Sequence, residues 1–341
     1  MKKKVLIQMM AMVVFLVLTA GCGADPEKDV PAVKEEKSGK LQVVATLFPQ
    51  YDFTRQIAGD KAEVTLLLPP GVESHSYEPT PSDIIKINES DLFLYTGESM
   101  EAWSQRIIDG MRESGSDSTV LDVSQGIDLV SAEEIEREHH HDEEEEEGTE
   151  HEHEHEEEGS EHEHQHLYDP HIWTDPLQAK VMVASIRDAL CRIDPVNAEY
   201  YQENAAKYSA ELDELDAALK TIVKNGKRNE ILFGSRFALF YFTNRYGLSY
   251  EAAFDSCSSE TEPSARTVAG LIEKIREEKI PVIYYAEIED PKIARAISAE
   301  TGAKLLLLHS CHNVTKEELE GGATYLSLMK QNGENLKEGL E

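Results

Sequence analysis

Apolar residues fall along this chain in short continuous runs, separated by stretches whose apolar positions recur at three and four. LQVVATL (41–47), AEVTLLL (62–68) and DLFLYTG (91–97) read as buried strands, with a shorter one at Thr119–Asp122. Between them, YDFTRQIAG (51–59), PSDIIKINES (81–90) and Glu101–Met111 carry the helical period. Further on, EILFGS, LSYEAAF, IPVIYYA and AKLLLLH repeat the strand pattern. FALFYFTNRYG, SARTVAGLIEKIREEK and DPKIARAISAETG alternate with them, and a final amphipathic helix runs through Glu341. Apolar runs on both sides of such an alternation predict parallel sheets covered by helices on both faces. The expected fold is therefore α/β, with two lobes that show no convincing sequence repeat.

One helical pattern is longer than a lobe needs. After LQAKVMVASIRDALCRI (177–193), Pro195 opens a pattern through Asn225 that Gly226 ends. About 28 residues at helical rise span roughly 40 Å, so this segment is expected to join the lobes as a stiff helix. The expected divisions are 1–22 as an export signal, 23–40 as a flexible tether and 41–194 as an N-terminal lobe. Residues 195–225 form the linker helix and 226–341 a C-terminal lobe.

The signal assignment rests on MKKK, the apolar run Val5–Ala20 and the small residues before Cys22. A Cys directly after Ala-Gly resembles a bacterial lipobox. That implies cleavage before Cys22 and lipid on its sulfur, placing the chain on the outer face of the cell membrane. Residues 23–40, rich in Pro, Glu and Lys, suit a tether.

Composition then changes the picture. The net charge is −33, which excludes nucleic acid as a partner because that needs a basic surface. About half of the charge lies in one stretch, EHHHDEEEEEGTEHEHEHEEEGSEHEHQH (138–166), within an acidic loop at 133–166 expected to be disordered. It has no apolar face to bury. Its imidazoles, His139, His140, His141, His151, His153, His155, His162, His164 and His166, suit borderline transition metals, and its carboxylates concentrate cations nearby. We read it as an auxiliary collector of metal ions rather than the main site.

Two rigid loops supply better candidates. His75 sits in GVESHSYEPTPSD (71–83), just after a predicted strand, where α/β sheets bind ligands. His171 sits in DPHIWTDP (169–176), framed by two Asp-Pro pairs and beside Trp173. Cys191 reads as a buried small hydrophobe within a helix.

With these motifs, the chain resembles the zinc/manganese solute receptors of bacterial ABC importers, which share the TroA-like fold. GVESHSYEPTPSD, the acidic His-rich insertion, DPHIWTDP, the FALFYFTNRYGL helix (237–248), TEPSARTVAGLIEKIREEKIPVIYYAE (261–287), ETGAKLLLL (300–308) and TYLSLMKQN (324–332) carry the likeness in order. The resemblance implies two lobes joined by one long rigid helix, with metal in the cleft between them. It implies a monomer that is no enzyme and serves a permease with its ATPase. His75 and His171 would be the N-lobe ligands, and the His-rich loop points to Zn2+ rather than Mn2+.

The C-terminal half departs from this family's pattern. Arg236 stands where a His or Glu ligand is expected, and arginine stays protonated and cannot ligate a cation. The usual Asp after the last strand gives way to LHSCHN, with His309, Cys311 and His312. We expect His309 as the third ligand and His312 as the runner-up. Cys311 and Glu260 are possible additions, and Glu262 is better read as a polar residue near a helix start. Arg236 is expected to pair with Glu260 or Glu287. Cys257 and Cys311 offer a disulfide, favoured outside the cell, which would exclude Cys311 as a thiolate ligand.

Other readings remain distinct in kind. A manganese or iron receptor of the same fold would want more carboxylates. A zinc-storage or adhesin surface protein would depend on the loop alone. A zinc hydrolase needs an HExxH motif on a helix, and the HEHEH string here lies in the low-complexity stretch.

Overall fold

A computed structural model describes residues 39–131, 134–135, 168–254 and 263–341. Cys22, almost all of the tether, the nine histidines of the acidic stretch, and Cys257, Glu260 and Glu262 lie outside the described residues.

Two four-stranded parallel sheets organise the chain. The first holds β1 (Leu41–Ala45), β2 (Ala62–Leu66), β3 (Leu92–Tyr95) and β4 (Thr119–Asp122), in the order β2-β1-β3-β4. The second holds β5 (Glu230–Phe233), β6 (Ser249–Ala252), β7 (Val282–Tyr285) and β8 (Lys304–Leu307), in the order β6-β5-β7-β8. The two sheets thus share one topology, although the sequence shows no repeat. In each, the first strand in chain order pairs with the second on one side and the third on the other. That reversal opens a crevice at the strands' carboxyl ends.

Helices cover the sheets: α1 (Phe48–Ala58), α2 (Pro81–Glu89) and α3 (Ser104–Ser114) belong to the first. Then α4 (Pro176–Ile193) leads to the 28-residue α5 (Ala198–Asn225). Between the strands of the second sheet lie α6 (Phe240–Tyr246), α7 (Ala265–Glu278) and α8 (Lys292–Thr301), and after it come α9 (Lys316–Glu320) and α10 (Tyr325–Leu340). The terminal helix expected from the pattern is two, divided at Gly321-Gly322; Gly322 adopts φ +77°, a conformation glycine takes without strain.

Local signals explain the starts of several elements. Thr80 caps α2 by accepting from Asp83 N–H, and Pro81 follows it. Asp175 caps α4 in the same way, accepting from Leu177 N–H at 2.7 Å, with Pro176 next. Helix α5 packs along α4, α1 and α10 through Tyr201, Ala205, Tyr208, Leu212, Leu215 and Leu219, all buried. That single stripe joins the core that runs through both sheets. Cys191 on α4 is only partly buried, a small correction: it lies at the margin of the stripe, its sulfur 3.6 Å from Ala198 O.

Candidate metal centre

The loops leaving β2, β5, β7 and β8, together with the turn before α4, line one small cavity of about 30 Å³. His75 and Glu73 come from the first of these loops, and Arg236 from the loop after β5. Glu287 and Glu289 follow β7, Ser310 and His312 follow β8, and His171 precedes α4.

His171 is fully buried. Its Nδ1–H donates to Asp169 Oδ1 at 3.0 Å, and the same oxygen accepts the backbone N–H of His171 at 2.8 Å. This fixes both the ring and its tautomer. Nε2 is buried and has no hydrogen-bond partner among the described residues. A buried imidazole nitrogen left in this state is an uncompensated lone pair unless a ligand takes it. A carboxylate behind the far nitrogen is the usual support of a metal-ligating histidine.

Two other imidazoles face His171. The His75 ring centre lies 5.3 Å away and that of His312 6.5 Å away. Imidazoles sharing a tetrahedral zinc stand about 5 Å apart, given Zn–N of roughly 2.1 Å. His75 and His171 already meet that spacing, and His312 is about an ångström too far. Accordingly, no group of three His, Cys, Asp or Glu side chains among the described residues is yet close enough to hold an ion.

His312 is oriented as carefully as His171. Its Nδ1 meets the Ser310 hydroxyl and lies 3.2 Å from Glu287 Oε1, which leaves Nε2 for the cavity. Burial lowers the pKa of this imidazole, and Glu287 only partly offsets that, so the neutral, ligating form is favoured. Burial alone would raise the Glu287 carboxyl, but His309, His312 and two hydrogen bonds from Ser310 hold it low and ionised.

His309, the expected third ligand, is absent from the cavity lining, which includes His312 instead. The His309 Nδ1 accepts the Cys311 N–H at 2.8 Å, and its Nε2 lies 3.7 Å from Glu318 Oε1. A backbone N–H thus occupies Nδ1 and Nε2 faces an acid, so neither nitrogen is offered to the cavity. The reason for the swap is local: Cys311 adopts φ +65°, which reverses the chain and turns His312 toward His171.

Cys311 is fully buried and forms no disulfide among the described residues; Cys257 lies outside them. Burial pushes its thiol pKa up, away from the thiolate a metal ligand requires. Among the described residues Arg236 pairs with an acid, Glu289 at 2.9 Å, rather than with Glu287.

The loop after β8 is tied to the first lobe. Trp173 Nε1–H donates to Ser310 O at 2.7 Å, Phe48 N–H to His312 O at 3.2 Å, and Gly71 N–H to Val314 O at 2.8 Å. Asn313 donates to Pro69 O and Val72 O. Ser310 after β8 and Glu287 after β7 support His312, whereas the sequence offered Glu287 only as a partner for Arg236.

Residues 43–339 match the family model of the zinc-uptake complex component A, a periplasmic protein. The chain belongs to the ZnuA family. The high-affinity zinc uptake system protein ZnuA of Bacillus subtilis strain 168 is 36% identical over 323 residues, covering 95% of this chain and 94% of its own. The zinc-binding lipoprotein AdcA of Streptococcus pneumoniae strain R6 is 34% identical over 306 residues; the match takes in 89% of this chain but 57% of AdcA. The solved zinc(II)-bound ZnuA-like domain of that species' AdcA superposes with a TM-score of 0.70 at 30% identity, covering 89% of this chain and 99% of the domain. The two-lobed α/β architecture is therefore that of the ZnuA family.

Proposed function

We propose that this chain is a lipid-anchored receptor, held at the outer face of the membrane through Cys22, that captures zinc and passes it to an ABC permease for import. It is a binding component of a zinc-uptake system and not an enzyme, since its cargo is taken up and released unchanged. The observation that carries the reading is His171, with Asp169 on Nδ1 and a buried, partnerless Nε2 facing His75 and His312.

Three imidazoles favour zinc over manganese, magnesium and calcium, which prefer oxygen donors. His75 and His171 supply the ligands of the first lobe and His312 that of the second. The closing of His312 by about an ångström accompanies capture. Cys311, a buried thiol whose pKa is pushed up, takes no part in binding the ion. The His/Glu-rich stretch collects ions and feeds the site without forming it. We further read the protein as a monomer.

The test is zinc competition against a chelating indicator. His171→Ala should abolish tight binding, and His312→Ala should weaken it far more than His309→Ala. Retained affinity in His171→Ala would overturn the assignment.

A further inference from the structure

Three carboxylates line the cavity, and two of them are already committed. Glu73 accepts the N–H of His75 on one oxygen and that of Ser76 on the other, each at 2.8 Å. Glu287 Oε2 accepts Ser310 N–H at 2.8 Å, while Oε1 takes the Ser310 hydroxyl and faces His312. Glu289 differs. Its Oε1 pairs with Arg236 Nη1 at 2.9 Å, and its second oxygen has no hydrogen bond or ion pair among the described residues.

The backbone points the same way. Ile288, between the two acids, adopts φ +71°, and Glu289 N–H donates to Glu287 O at 2.8 Å. This closes a γ-turn with a β-branched residue at positive φ, a strained conformation for such a side chain. Residues two apart in an extended strand end would continue away from the site. The strained turn instead brings Glu287 and Glu289 to one cavity, the first behind His312 and the second against Arg236.

We propose that Glu289 supplies the fourth zinc ligand, with its second oxygen on the ion and its first still held by Arg236. The proposal rests on the reading of His75, His171 and His312 as zinc ligands. It resolves the difficulty of Arg236, a fixed cation lining a cavity meant for a dication. A carboxylate set between the two turns their repulsion into a pair of attractions. Arg236 is then a positioning residue: its planar fork fixes the carboxylate's direction. The ligand that relatives' patterns place after β5 has moved to the loop after β7. The resulting three nitrogens and one oxygen suit tetrahedral zinc.

The experiment uses the full chain, zinc competition against a chelating indicator, and the visible d–d spectrum of the Co2+-loaded protein. Glu289→Gln should lower zinc affinity by about tenfold or more and alter the cobalt spectrum. Arg236→Gln should lower affinity less and keep the band pattern, because the carboxylate remains. If Glu289→Gln stays within about twofold with a superimposable spectrum, while His171→Ala has lost tight binding, Glu289 is not a ligand and the imidazole site stands. If His171→Ala binds normally, the imidazole site itself falls. Should Glu289→Gln fail to melt cooperatively, Glu289→Asp keeps the charge opposite Arg236 and shortens the reach. A changed cobalt spectrum in that variant supports the proposal, and an unchanged one overturns it.

Discussion

Asp169 Oδ1 receives both the ring Nδ1–H and the backbone N–H of His171, at 3.0 and 2.8 Å. One carboxylate oxygen thereby fixes where the histidine sits and which nitrogen it offers. Asp169→Ala should lower zinc affinity roughly 10- to 100-fold, the usual loss when a ligand's support is removed. Asp169→Asn, which still accepts a hydrogen bond, should lose less. Chelator competition on the two variants checks the order, and equal affinity in all three proteins would refute it.

Trp173 has a comparable role between the halves of the chain. Its Nε1–H meets Ser310 O, and its own carbonyl accepts Tyr325 Oη–H at 2.6 Å. Trp173→Phe leaves a buried carbonyl unpaired, which costs about 1–3 kcal/mol. The urea midpoint should fall with the slope unchanged. Zinc affinity should fall too, because Ser310 also orients His312. A variant as stable as the parent would show that this bond is dispensable.

Glu101 gives the first lobe a pH dependence. Burial pushes its carboxyl up to about 8, despite hydrogen bonds from Thr46 and from Thr96 N–H. The folded chain therefore holds a proton that the unfolded chain releases near 4.5. The associated stability is complete below about pH 4.5 and is lost as pH rises toward 8, by an amount on the order of 4 kcal/mol. Glu101→Gln mimics the protonated form. Its stability relative to the parent should rise between pH 4.5 and 8, as read from denaturant midpoints. A constant difference across that range would rule out the buried proton.

Much of this was legible in the chain. Parallel strands buried on both faces leave continuous apolar runs, and β3, β7 and the inner end of β1 announce themselves in that way. His75 and His171 stood out because prolines frame their loops. That His312 and not His309 lines the cavity was not legible, because the φ of Cys311 decides which side chain faces it, and a non-glycine residue in that region leaves no mark in sequence. The same holds at Ile288. Its turn gives Arg236 to Glu289 instead of Glu287, and nothing in EIED foretells it.

The acidic stretch offers a separate test. Fixing backbone and side chains around each ion costs conformational entropy, so its imidazoles should bind several ions weakly. Deleting residues 138–166 should reduce the zinc stoichiometry in calorimetry and leave the tightest site intact. Loss of the tight site on deletion would move the centre of the function into that stretch. Binding by the stretch should also weaken as pH falls, since protons compete for the same nitrogens.

The burial of His171 has a kinetic consequence. An ion reaches its enclosed Nε2 by giving up water for side-chain donors. Loading is therefore a dehydration reaction, with each departing water exchanged for a side chain. Magnesium gives up its waters reluctantly, so it meets a barrier before any question of affinity arises. The receptor can then stand in a medium rich in that ion and leave its entrance clear for zinc.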